Sequence, residues 1–426
     1  MTRAATLKTA IVMAFRTLFG PWMALGLLGI DIGVLLMRGA GWLGESMSLV
    51  RTMAVVFNVA GALLAGVAAT DAARISRAGN IDLVLAVRKT QRRYLWAWLW
   101  TFLPAALAHV IVFLVAALAG GDWSPRSGWG RLLLALAVQL ADIGWFIALG
   151  SVIGRLLPAV AAALVAAVTG LVAVYFFQGL YLNLGDSRFS PLGDSGSVLS
   201  QIGLVYNPVE LVLQLACLGV SSAVFLWSPV RSYGARSVIR PVGLLTLSAV
   251  IAALLLVPSA VPSDPFRPNP TPPDVCVGGE PKICYYHEHE RYSTPYIEAV
   301  QRASATARDK GYEALVPETV VETSMTFFPS GPDQAGLSGF EPAAPNEDAI
   351  VSQLLSPEHC PQMYADVQPS EVFWLDLGLL EATWVELLGH EYQWFDNLGE
   401  EAAGLVPLSP DEVAAKMAKL RACDFE

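Results

Sequence analysis

Seven runs of about 20 apolar residues, the length a spanning helix needs, divide the first 261 residues of the chain. They fall at 17–37, 52–73, 94–119, 132–153, 158–179, 209–227 and 241–261, and each predicts a transmembrane helix. Between the fourth and fifth runs lies the tight sequence Gly154-Arg155-Leu156-Leu157-Pro158, where one Arg and one Pro suffice to break a hairpin. The first run is long enough to span and lacks a small-residue cleavage site, so it is expected to stay as an anchor.

Past residue 261 the pattern changes. Residues 262–273 hold six prolines in twelve positions, which predicts a stiff, extended spacer. Short alternating runs at Val275–Val277 and Ile283–Tyr286 predict strands around Gly278-Gly279, residues 295–310 predict a helix, and Val316–Phe328 is strand-rich in Val, Thr and Phe. A Gly/Pro-rich loop is expected over 329–346, and a helix, kinked at Gly389, over 370–396. Ser409-Pro410-Asp411-Glu412 is a capping-box pattern with Pro at the first helical position, and it opens a last helix with a cationic end. The expected fold is thus a polytopic α-helical membrane protein of about seven spans (1–261), a Pro-rich linker (262–273) and a small α+β domain (274–426).

Charge sharpens this division. Up to Val261 there are 18 Lys+Arg against 9 Asp+Glu, a net +9; from Pro262 onward there are 9 against 28, a net −19. An acidic half of that size would repel phosphate, which argues against nucleic acid as a partner. With the N-terminus inside, 13 Lys/Arg fall in inner segments and 5 in outer ones, the bias expected of a plasma-membrane protein with a cytoplasmic N-terminus. Seven spans then place the C-terminal domain outside the cytoplasm. Cys276, Cys284, Cys360 and Cys423 all fall in that domain, and an even number suggests two disulfides in an oxidising compartment. Three pairings are open; Cys276–Cys284 with Cys360–Cys423 is favoured because the first pair is close in sequence. Metal ligation is the rival reading, against which no Cys-x-x-Cys appears. Cys217 lies in an apolar run and is expected to be a small buried residue.

Candidate chemistry is sparse. His287-Glu288-His289-Glu290 and His390-Glu391 invite a zinc-peptidase reading, which needs a second His four residues on; those positions hold Arg291, Ser293 and Trp394. His287 and His289 would share one face of a strand and could meet His359 or His390 in space, but the expectation is of structural or solvated histidines, with no metal, no cofactor and no catalytic residues. No lysine of the six follows a glycine, so no phosphate-binding loop of the Gly-Lys-Ser/Thr kind is present. Within the spans Asp142, Asp31 and His109 stand out, because an ionisable group at bilayer depth is costly and marks a functional site by default. Asp142 ranks first, being mid-span with Gln139 one turn away. A purely structural role for these groups would be an interhelical hydrogen bond or a buried, protonated carboxyl. Asp71 and Arg74, three apart, read as a surface ion pair. The loop 74–93, with Arg74, Arg77, Arg88, Lys89, Arg92 and Arg93 around Ile81, Leu83, Val84, Leu85 and Val87, allows a short amphipathic helix for an anionic leaflet or a cytoplasmic partner.

The cationic stretch 3–16, two spans, then Ala69-Thr70-Asp71-Ala72-Ala73-Arg74 and a basic loop resemble the permease subunits of ABC-2 type exporters. The Ala- and Trp-rich style, with Val275-Cys276-Val277, Ile283-Cys284-Tyr285 and Leu420-Arg421-Ala422-Cys423, is similar to ABC-2-like membrane proteins of high-GC bacteria that carry an extra C-terminal domain. A seventh span and the outer domain depart from six-span exporters. The resemblance implies a non-catalytic permease, partnered by the lipid bilayer, a second copy of the chain and a separate ATPase docked on the inner loops, with 74–93 as the coupling element. The alternative expectation is a membrane-tethered sensor or assembly protein whose outer domain binds a ligand; a membrane-bound metallohydrolase is the third.

Overall fold

The structure is a computed structural model that describes residues 15–39, 41–76, 90–120, 128–184, 201–227, 266–324, 326–338, 340, 344–360, 370–392 and 406–424. The expected span 241–261, the first residues of the Pro-rich spacer, most of the cationic stretch 3–16 and Arg77, Arg88 and Lys89 lie outside the described residues. The chain divides into two compact units, one of residues 1–198 and 205–267, the other of 199–204 and 268–426.

In the first unit a 3-10 turn, Gly20–Trp22, runs into α1 (Met23–Met37); α2 (Ser46–Ala54), α3 (Phe57–Ile75), α4 (Thr90–Gly120), α5 (Trp129–Leu156), α6 (Ala159–Leu184) and α7 (Pro208–Trp227) follow. Among the described residues five helices are long and apolar enough to cross a membrane, and six if the pair α2 and α3, bent by 44°, counts as one. Large apolar side chains such as Leu36, Leu107, Val160, Leu164 and Phe176 stand exposed, a surface that water would penalise and lipid would not. The expected single span 52–73 is therefore two helices. The amphipathic start Ser46-Met47-Ser48-Leu49-Val50-Arg51 forms α2, and Arg51, which ends the apolar run in sequence, is buried with its guanidinium 4.8 Å from the Phe266 ring.

Small residues let helices of the bundle approach closely. α3 packs most extensively against α5 and α6, and a Cβ at Gly150 would lie 2.0 Å from the Ala65 carbonyl oxygen, one at Gly154 2.1 Å from that of Ala69. With no side chain at either position the two backbones meet directly, the device by which helices associate in lipid. Gly154-Arg155 is not a turn, because α5 continues to Leu156 and breaks at Leu157-Pro158. Arg155 is buried. Its guanidinium donates to the carbonyl oxygens of Phe225 (2.6 Å) and Leu226 (3.3 Å), and its Nε to Ser151 (3.0 Å). It thereby satisfies two of the last carbonyls of α7, which have no partner within their own helix.

The second unit holds a four-stranded sheet: β1 (Val275–Val277), β2 (Lys282–Tyr285), β3 (Thr319–Thr323) and β4 (Gln334–Ser338), in that order. β1 is antiparallel to β2; β2, β3 and β4 run parallel. α8 (Glu290–Asp309), α9 (Glu347–Leu355), α10 (Glu371–Leu387) and α11 (Pro410–Arg421) pack around it. Val300, Leu337, Val351, Trp384 and Val413 share one core, in which the Trp384 indole N–H donates to the Ala303 carbonyl at 3.2 Å. The expected loop 329–346 contains β4, whose Gly-containing, buried sequence Gln-Ala-Gly-Leu-Ser shows no alternation to read. Gly336 leaves room there for the Glu358 carboxyl, which a Cβ would meet at 2.0 Å. The expected kink at Gly389 is an end: α10 stops at Leu387, Gly389 takes φ +84°, and the N–H of His390 returns to the Val385 carbonyl. α11 opens with the capping box that its sequence spells.

Both favoured disulfides are present, Cys276–Cys284 between facing positions of β1 and β2, and Cys360–Cys423 across 63 residues of chain. Cys217 is half-buried on α7. Loop-closure entropy makes the bridge over the longer segment stabilise by roughly 2 kcal/mol more than the short one. Chemical denaturation of the C276S/C284S and C360S/C423S double variants should reproduce that order, and equal losses would contradict it.

Candidate functional site

Among the described residues, buried ionisable side chains are paired in each of the two units. In the helix bundle, Asp31 on α1, His109 on α4 and Gln139 on α5 form one line, all buried. His109 Nδ1 lies 3.1 Å from each Asp31 oxygen, and Nε2 lies 3.1 Å from Gln139 Oε1. The Gln139 amide N–H donates to the Val50 carbonyl on α2 at 2.7 Å. That bond sets the amide's orientation, so Oε1 faces the imidazole and Nε2 must carry a hydrogen. Nδ1 is then the nitrogen that faces the Asp31 carboxyl, and a hydrogen on either partner bridges the two. Phe57 of α3 closes over the ring at 5.5 Å.

Asp142 is one turn along α5 from Gln139 and is 1% exposed; its Oδ1 makes no hydrogen bond among the described residues. Asp31 and His109, singled out separately in the sequence, are thus brought together, while Asp142 stands apart from them. Asp71 and Arg74 do not form the expected surface pair. Asp71 is buried and accepts the N–H groups of Phe19 (3.0 Å) and Gly20 (2.8 Å), while the Arg74 guanidinium sits 4.0 Å from the Phe19 ring. Together they hold the entry to α1 against the end of α3. Of the other basic residues in 74–93, Arg92 and Arg93 lie in the first turn of α4.

The second gathering is at the carboxyl ends of the parallel strands. Where β2 ends, the chain makes a 3-10 turn, His287–His289, rather than the continued strand expected for these residues. His289 Nδ1 bonds Glu322 at the end of β3, and both are buried. Glu322 also accepts the N–H groups of Tyr286 (2.9 Å) and, weakly, Phe340 (3.4 Å), so one carboxylate ties together the ends of β2, β3 and β4. His287 Nδ1 faces Asp274 Oδ2 at 2.7 Å and Glu288 Oε2 at 3.3 Å, and the backbone N–H of His287 donates to Asp274 Oδ1 at 3.1 Å. Asp274 went unnoticed in the sequence. The signal was available, since it stands one residue before β1, which pairs Val275 with Tyr285.

His359 and His390 join neither group. His359 Nε2 lies 3.3 Å from the Arg421 carbonyl and 3.4 Å from Cys360 Sγ; His390 Nδ1 pairs with Asp348 at 2.8 Å. Elsewhere in this unit burial raises the Glu358 carboxyl above its ordinary range. Burial, with the Glu381 carboxylate that Tyr392 bonds at 2.8 Å, raises that phenol. The Ser409 hydroxyl and N–H hold the Glu412 carboxyl low. Comparison with protein-family models, curated proteins and solved structures gave no match to this chain.

Proposed function

We propose that the chain is the membrane-spanning permease subunit of an exporter, non-catalytic itself and energised by a separate ATPase. The observation that carries this reading is the placement of ionisable groups inside the helix bundle: the Asp31–His109–Gln139 line and the buried Asp142. A tether needs only apolar helices, and each carboxyl kept at bilayer depth costs stability that a moving solute or ion can justify. The resemblance of residues 69–74 and their flanks to ABC-2 permeases points the same way, with the basic loop 74–93 as the surface for the ATPase and a second copy of the chain completing the path. In this reading residues 268–426 face the side opposite the ATPase, outside the plasma membrane, where their disulfides persist.

Affinity purification in mild detergent tests it. An ATPase should co-purify, and neutralising Arg88, Lys89, Arg92 and Arg93 should release it. D142N should leave that complex assembled and lower its ATP hydrolysis at least tenfold; a chain that never associates with an ATPase overturns the proposal. A second reading, a tethered sensor, is favoured by the ionisable group at the strand ends. Removing residues 268–426 separates the two, because a permease retains the ATPase complex and its turnover whereas a sensor loses its response.

A further inference from the structure

We infer that Asp274, His287 and Glu288 form a binding site for a zinc-class divalent metal ion at the carboxyl edge of the sheet. The fold places them there. In open sheets of parallel strands, ligands bind beyond the carboxyl ends of the strands, where the loops diverge. Here β2 delivers His287 and Glu288 to that edge, and the antiparallel β1, entering beside it, delivers Asp274. Beneath them the buried His289–Glu322 pair, with the N–H groups of Tyr286 and Phe340, fixes the turn that carries two of the three ligands.

The donor atoms have coordinating geometry. Asp274, His287 and Glu288 can each offer one atom such that all three lie within 4.8 Å of one another. One ring nitrogen faces two carboxylates, at 2.7 and 3.3 Å. A single Nδ1–H can point at only one of these two carboxylates, whereas a cation in place of that proton can bind the nitrogen and both carboxylates together. A tetrahedral ion with bonds of about 2.0–2.1 Å holds its ligand atoms about 3.3 Å apart. Nδ1 and Glu288 Oε2 already have that spacing, and Asp274 needs to withdraw by roughly half an ångström. The Glu288 side chain is only 4% exposed, while His287 and Asp274 are 35% and 45% exposed. The site is therefore seated on one side and open on the other, as in zinc sites that keep a position for water. One imidazole and two carboxylates suit zinc or manganese. They lack the sulfur that copper(I) selects and the six or more oxygens that calcium takes.

The test is isothermal titration of the chelator-treated full-length chain in detergent with zinc chloride alone, at pH 7.5. One equivalent should bind, with affinity lowered at least tenfold in H287A and in D274N. H390A, at the His390–Asp348 pair, should leave affinity unchanged. Binding should weaken at pH 5.5, because the imidazole must release its proton to coordinate. Near-UV circular dichroism should be the same for all four proteins, since the substituted side chains are partly exposed. No saturable zinc binding, or stoichiometric binding that H287A and D274N leave intact, overturns the inference.

Discussion

Changing His109 to alanine is expected to destabilise the helix bundle by about 4 kcal/mol, the usual cost of removing one partner from a buried charged pair. The loss has two parts. Asp31 would keep its carboxyl at full burial with no imidazole to share its proton, and Gln139 Oε1 would lose the N–H that faces it. Because the line runs from α1 through α4 and α5 to the Val50 carbonyl on α2, all four helices lose a tie at once. The comparison that isolates the cause is the D31L/H109L double variant. Replacing both partners by apolar side chains should recover the larger part of the loss, since no lone carboxyl is left in the apolar interior and only the Gln139 Oε1 contact stays broken. Thermal unfolding followed by size-exclusion chromatography in detergent measures both. If the double variant is as unstable as H109A, packing rather than pairing sets the effect.

The G150A/G154A variant should be worse still. Each new methyl group would sit within about 2 Å of a carbonyl oxygen of α3, and backbone cannot move aside as a side chain can. A cost of about 3 kcal/mol per site, the upper end for overpacking, is expected. The two sites are four residues apart on one helix and face Ala65 and Ala69 of another, also four apart. A single outward shift of α5 would relieve both clashes, so the combined cost should fall short of the sum. By contrast Gly130, whose Cβ would meet nothing within 4 Å, should accept alanine without measurable loss. Yield of monodisperse protein and melting temperature are the readouts; wild-type behaviour of G150A/G154A would show that α3 and α5 do not touch in this way.

Which parts of this molecule its sequence makes legible follows from the range of the interactions involved. Apolar runs are local, so α1, α4, α5, α6 and α7 lie where hydropathy expects them, within a few residues at their ends. The capping box at Ser409 is equally local. Arg51 and Arg155 mislead for one reason: a charged residue normally ends a span. Here each is buried, one guanidinium over the Phe266 ring and the other against the carbonyls of Phe225 and Leu226, partners far away in sequence. Asp31 and His109 are conspicuous singly, but 78 residues separate them and only the packing of α1 on α4 pairs them. At the strand ends, His287 and Glu288 are visible as a motif of the wrong spacing for a helix. What assembles them with Asp274 is strand register, and what fixes His289 is Glu322, 33 residues on.

The order of strands in the second unit also bears on how the chain is made. Spatial order β1-β2-β3-β4 is the order of synthesis, so each strand, as it emerges, finds its neighbour already waiting at one growing edge. Cys276 and Cys284 lie in the first two strands, eight residues apart, and can join before the rest of the unit exists. Val413, Met417 and Leu420 of α11, by contrast, belong to the shared core, and Cys423 just beyond them completes the long bridge. Until α11 is in place, the core of this unit lacks Val413, Met417 and Leu420 and is open on that side. Cys360 likewise has no bridge to make until then, because its partner Cys423 is the last of the four bridged cysteines along the chain.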